Sequence, residues 1–207
     1  MIKKTISNPI NLLIIIFSTL VISMDHIISM AATHSWSLYL PLIAQSKCTT
    51  DVVKNGNFEQ DGFGWFISSS GMGWKEHDLI GSVTEGFSPF GGVYAARLGG
   101  YEGVLDVITQ TITIPSQGRL TYWWKMGTYE ILPHHDTFEV MLLQPDGTKV
   151  ASLAFHDDQD FENKWQQEII DVSIYEGGRY NLLLSSYNDN YYFSWFDVDE
   201  IHMCGTQ

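Results

Sequence analysis

The chain has 207 residues, with 11 lysines and arginines against 24 aspartates and glutamates, a formal charge of −13. Phosphate backbones and anionic lipid are bound through clustered basic side chains, so this balance excludes nucleic acid as a partner. Hydrophobic residues make up 44% and aromatic residues 14%, enough to fill one sizeable core.

Residues 1–31 read as a secretory signal peptide. Lys3 and Lys4 form a positive n-region, Ile10 to Ile22 an apolar run, and Ser29 and Ala31 suit the −3 and −1 positions of a cleavage site. The run is shorter than the roughly 20 residues that span a bilayer, although an uncleaved anchor is the alternative. Cleavage removes Lys3, Lys4 and Asp25, leaving the remainder more acidic still, secreted or at the cell surface with no expected membrane contact. Residues 32–47 form a connector around the apolar knot Tyr39-Leu40-Pro41-Leu42-Ile43.

Two cysteines in an exported chain most simply pair, so Cys48 is expected to bridge Cys204, with two free thiols as the alternative. Such a bridge brings the ends of the region within about 7 Å, Cα to Cα.

From residue 48 to 207 the punctuation is that of strands and turns in a single domain. Over 107–114, Ile108, Gln110, Ile112 and Ile114 share one face, and Pro115 stops the strand. Next, Leu120, Tyr122, Trp124 and Met126 fall together, then Phe138, Val140 and Leu142. Pro145-Asp146-Gly147 predicts a hairpin turn into Val150 to Phe155. Tyr180, Leu182 and Leu184 form a further face. In the last segment Phe196 and Val198 share one parity, and Ile201 and Met203 the other. An extra residue at Asp199-Glu200, a β-bulge, gives that slip, as does a strand that ends early. Five strands with opposed faces imply an all-β sandwich of two antiparallel sheets.

The order of several motifs resembles galactose-binding-like jelly rolls, notably carbohydrate-binding modules of the family four type and the adhesive domains of secreted proteases. The residues are Asn55-Gly56-Asn57-Phe58-Glu59 followed by Trp65, Gly92 to Gly100, Gln110 to Pro115, Leu120 to Lys125, Asp136 to Val140, Trp165 with Asp171-Val172-Ser173, and Asp199-Glu200-Ile201. The likeness implies a jelly-roll β-sandwich and favours the bulge. It also implies a structural calcium ion between first and last strands, held by Glu59 and Asp199 with carbonyls around Asn57. A hard cation wants six to eight oxygens, and carboxylates from distant segments supply them. Glu200 stands where a second Asp is common and Asn57 where Gly is common. The competing reading leaves Glu59 and Asp199 solvated or paired with Lys54 or Arg97.

The likeness further implies a non-catalytic module that recognises extracellular or cell-wall polysaccharide through exposed rings. Candidates are Trp74, Trp124, Tyr129, Tyr191 and Tyr192, whereas Trp65, Trp165, Phe138 and Phe196 match core positions. Trp123 and Trp124 are adjacent, so one faces inward and one outward. The alternative is a cell-surface structural or protein-interaction domain without sugar affinity. His134-His135-Asp136 is the segment most like a metal cluster, but adjacent histidines on an extended chain point apart, and no spaced His partner follows. Asp157-Asp158-Gln159-Asp160 reads as a solvated acidic turn. No Gly-x-Ser-x-Gly elbow and no phosphate-cradling loop is present.

Overall fold

Eleven strands form two antiparallel sheets in the computed structural model, which describes residues 48, 50–70, 78–131 and 135–205. The strands are β1 (Thr50–Asp51), β2 (Phe66–Ser69), β3 (Ile80–Ser82), β4 (Tyr94–Gly99), β5 (Leu105–Thr113), β6 (Arg119–Thr128), β7 (Thr137–Leu143), β8 (Lys149–Asp157), β9 (Gln166–Asp171), β10 (Arg179–Tyr187) and β11 (Ser194–Gly205). One sheet has the order β3-β4-β11-β6-β9, with β1 also on β11; the other runs β2-β5-β10-β7-β8. The expected signal peptide and connector, His134 and Trp74 lie outside the described residues.

The alternating patterns do the folding. Ile108, Ile112 and Ile114 from one sheet and Leu120, Tyr122, Trp124 and Met126 from the other all turn into the same core. Phe138 of β7 and Phe196 of β11 stack across the sandwich with ring centres 5.1 Å apart, joining the sheets at their middle. Fully burying a side chain of this size is worth about 1.5–3 kcal/mol. The Pro145-Asp146-Gly147 turn closes as expected: Gln144 N–H donates to the Thr148 carbonyl at 2.8 Å, and Gly147 takes φ 89°.

Cys48 and Cys204 are bonded, with Cα atoms 5.1 Å apart. Strand β1 pairs with the end of β11 (Thr50 opposite Gly205, Asp51 opposite Cys204), so both ends of the domain lie together. Strand β6 follows one edge of β11, while β4 and then β1 take the other. The β6 register shifts between Asp199 and His202, and Glu200 adopts φ 52°. The parity slip is therefore a bulge, and β11 continues beyond it.

That bulge has a chemical result. Phe196 and Val198 face the core before it, Ile201 and Met203 after it, so Asp199 and Glu200 fall successively on the outer side. The segment 83–93 crosses this outer face and buries what lies beneath. Phe90 stacks on Trp123 at 4.0 Å, and Trp165 meets Phe90 edge-on at 5.7 Å. Trp165, expected in the core, is thus a half-buried member of this outer cluster, placed immediately before β9 at the margin of its sheet.

Candidate functional site

Two regions gather polar chemistry. The first lies under the segment 83–93. Glu59, following the Asn55-Gly56-Asn57-Phe58 turn, accepts the N–H groups of Val93 (2.7 Å) and Tyr94 (2.9 Å) on Oε1. Asp199 accepts Phe90 (2.9 Å) and Gly91 (3.1 Å) on Oδ2, and Glu200 (2.7 Å) on Oδ1. Carboxylates from the first and last parts of the described domain therefore converge on one five-residue loop. Asn57 Oδ1 accepts the Glu59 N–H at 3.4 Å, and the Gly56 carbonyl accepts Ile201 N–H at 2.9 Å, fastening the turn to β11. Gly92 explains the close approach: its φ is 61°, and a Cβ there would lie 2.2 Å from Glu59 Oε1.

Asp199 is fully buried. Burial, together with the adjacent Glu200 charge, pushes its carboxyl up to about 6 against the pull of its three N–H bonds. Arg97 does not neutralise it. That guanidinium instead grips buried Asp197 in a fork (Nε to Oδ1 2.6 Å, Nη2 to Oδ2 3.0 Å) and lies 5.3 Å from the Phe87 ring centre. Among the described residues, no lysine or arginine pairs with Glu59 or Asp199. A buried carboxylate beside a second acid, facing loop backbone, suits a hard cation with oxygen ligands.

The second region is the end of the sandwich where the β6–β7 and β10–β11 loops meet. Tyr129 N–H donates to the Phe193 carbonyl at 3.0 Å, and their rings pack edge to face at 5.2 Å. Asp189 N–H donates to Asp136 Oδ1 at 3.0 Å, and Tyr191 N–H to Asp189 Oδ1 at 2.7 Å. The Gly103 N–H reaches the Asp189 carbonyl, bringing in the β4–β5 loop. Three rings stand out from this junction: Tyr129 is 61% exposed, Tyr191 70% and Tyr192 48%. Trp124, the remaining described candidate, is not among them. At 2% exposure it is a core side chain stacked on His156, because it shares the inward parity of Tyr122 and Met126. Its neighbour Trp123 faces outward but is covered by Phe90.

Residues not singled out from the sequence also belong here. Leu105, Tyr187 and Phe155 are exposed on the outward face of the β2-β5-β10-β7-β8 sheet, as is Phe66 at its edge. Polar groups interleave with them: Ser185 sits opposite Val107 and Glu139, and Glu139 Oε1 receives Ser152 Oγ at 2.5 Å and the Lys149 ammonium. A cleft of about 480 Å³ adjoins β2, between Ile67, Ser68, Asp78 and Ile80. The alternation of β5 and β10 was the available signal for this face.

Solved structures share this fold. A family 61 carbohydrate-binding module, TmCBM61, solved in complex with β-1,4-galactotriose, aligns at a TM-score of 0.56 and 15% identity, covering 76% of this chain and 100% of that one. This chain is a jelly roll. The K2 and K3 cleaved adhesin domains of Lys-gingipain, the latter from Porphyromonas gingivalis, align at TM-scores of 0.53 and 0.52 and identities of 13% and 12%, each covering 75% of this chain and 100% of the domain. No protein-family model and no curated protein matches the jelly roll described here.

Proposed function

We propose that this jelly roll is an exported, non-catalytic carbohydrate-binding module that grips glycan with the rings at its loop rim. One observation carries the reading: Tyr129, Tyr191 and Tyr192 stand exposed together where Tyr129 is bonded to Phe193. Flat rings in water offer apolar area to the C–H faces of pyranoses, while nearby amides and carboxylates take the hydroxyls. A disulfide suits an oxidising compartment outside the cytosol. In this reading Glu59 and Asp199, with carbonyls around Asn57, hold a calcium ion that fastens the loop 90–94 to both chain ends. The ion would supply charge compensation for buried Asp199 beside the exposed Glu59, a structural role.

The galactotriose bound by TmCBM61 makes β-1,4-galactan the first probe. Affinity electrophoresis and a glycan array, each in calcium and in chelator, test the reading. Specific retention that weakens about tenfold in Tyr191→Ala, the loss expected for truncating a binding ring, supports it. Saturable binding that is unchanged in single alanine variants of Tyr129, Tyr191 and Tyr192 removes the rim from the argument.

A second reading, a protein-interaction domain, draws on the outward sheet face. Phe66 there falls in one cross-sheet row with Thr109 and half-exposed Leu183 and Met141. Aliphatic side chains suit a protein surface better than a sugar. A blank glycan screen on folded protein shifts the weight to this face.

A further inference from the structure

Adjacent histidines argue against a metal site in the sequence, but the fold brings His135 its partners from elsewhere. Glu130 in the loop after β6, His135 before β7 and Asp189 after β10 each present one ligand atom, and these atoms lie within 4.8 Å of one another. They are close without bonding. His135 Nδ1 stands 3.5 Å from Asp189 Oδ2, and among the described residues neither His135 Nδ1 nor Glu130 Oε1, both shielded from solvent, makes a hydrogen bond. A closed charge-assisted hydrogen bond spans about 2.7–2.9 Å, less than the His135–Asp189 ion pair. Two donors bound at 2.0–2.2 Å in a tetrahedral shell instead sit about 3.4 Å apart. The 3.5 Å separation fits a shared ion.

Asp136 is the independent sign. It is fully buried at the same junction, where its Oδ1 holds the Asp189 N–H at 3.0 Å, Ser194 is a further polar neighbour, and its Oδ2 has no well-aligned hydrogen bond among the described residues. The Glu130 charge is close enough to act on it. His135 N–H is in turn fixed by Asp158 Oδ2 at 2.9 Å, so the loop carrying the imidazole is anchored. Three carboxylates and an imidazole thus meet, and among the described residues no lysine or arginine pairs with any of them. An uncompensated buried carboxylate is costly, and a cation removes the cost.

We propose that Glu130, His135 and Asp189 bind one first-row divalent transition ion of the zinc class, with Asp136 positioning the Asp189 loop. The imidazole nitrogen selects such an ion over calcium, which prefers an all-oxygen shell like that of Glu59 and Asp199. Three protein donors leave a fourth position for water or a ligand.

Calorimetric titration of the purified protein with zinc chloride, in saturating calcium to occupy the oxygen site, tests the assignment. One zinc ion per chain is expected, weakened at least about tenfold in His135→Ala and in Glu130→Gln, since even supporting residues cost 10–100-fold. Cobalt loading should give a visible absorption band that both variants lose. His202→Ala is the control for the surface imidazole between Asp51 and Glu200. No saturable zinc binding, binding untouched in the folded His135→Ala and Glu130→Gln proteins, or binding lost instead in His202→Ala overturns the proposal.

Discussion

Breaking the Cys48–Cys204 bridge, by reduction or by serine at both positions, should lower stability without loosening the native fold. The bonded residues are 156 apart in sequence. In the chain-entropy relation a loop of that length restricts the unfolded ensemble by about 17 cal/mol/K, or about 5 kcal/mol at 25 °C. The native ends stay together without the bond. Strand β1 remains paired with β11, and Asp51 Oδ1 still accepts Val53 (3.1 Å) and Met203 (3.0 Å) N–H groups. The bridge therefore acts mainly on the unfolded chain. At about 2–4 °C per kcal/mol for a domain of this size, Tm should fall by roughly 10–20 °C at most. The assay is thermal melting by circular dichroism of oxidised, reduced and double-serine protein, with intact mass after alkylation proving both thiols free. Unchanged far- and near-ultraviolet spectra at 20 °C are expected in all three. A shift below about 3 °C in verified reduced protein refutes the reasoning, as it amounts to about 1 kcal/mol.

Chelation should lower Tm in the parent protein, because an ion at one hundred times its Kd adds about 2.7 kcal/mol to the folded state. Glu59→Gln should abolish the calcium dependence while still accepting the Val93 and Tyr94 N–H bonds through its amide oxygen; equal responses to calcium in both proteins would count against the site. The Asp51–His202 pair gives a pH signature. His202 is raised by its bond to Asp51, with Glu200 adding to this; burial pushes Asp51 up, but the bonds from His202, Met203 and Val53 outweigh it and leave it lowered. The imidazole contribution is present below about pH 6.5 and lost as pH rises through the elevated folded value; that of Asp51 is present above about pH 4 and lost as pH falls. Both groups are partly exposed, so the effect is at most about 1 kcal/mol. Urea melts should show His202→Gln losing stability at pH 5.5 and little at pH 9, and equal losses at the two pH values would refute the pairing.

Much of this architecture was legible because it is local. Alternation along 107–114, 120–126 and 180–184 is imposed by the strand pleat, so it named the core face before any pairing was known. The same pleat placed Trp124 with Tyr122 and Met126, and proposing it as an exposed platform set aromatic chemistry above that parity. The bulge, too, was visible as a slip between Val198 and Ile201. The sites were less legible. Whether Asp199 is buried depends on segment 83–93, more than one hundred residues away, crossing the outer sheet face. Whether His135 has metal partners depends on loops after β6 and β10 that share no motif.

The chain by itself determined the sandwich, the pairing of its only two cysteines and the repulsion of polyanions, since periodicity, composition and charge are properties of the linear order. Tertiary structure alone decided which acids converge and which rings reach solvent. Convergence is a matter of distance across the fold. Exposure is set by the neighbours that happen to cover a face, as Phe90 covers Trp123 and nothing among the described residues covers Tyr191.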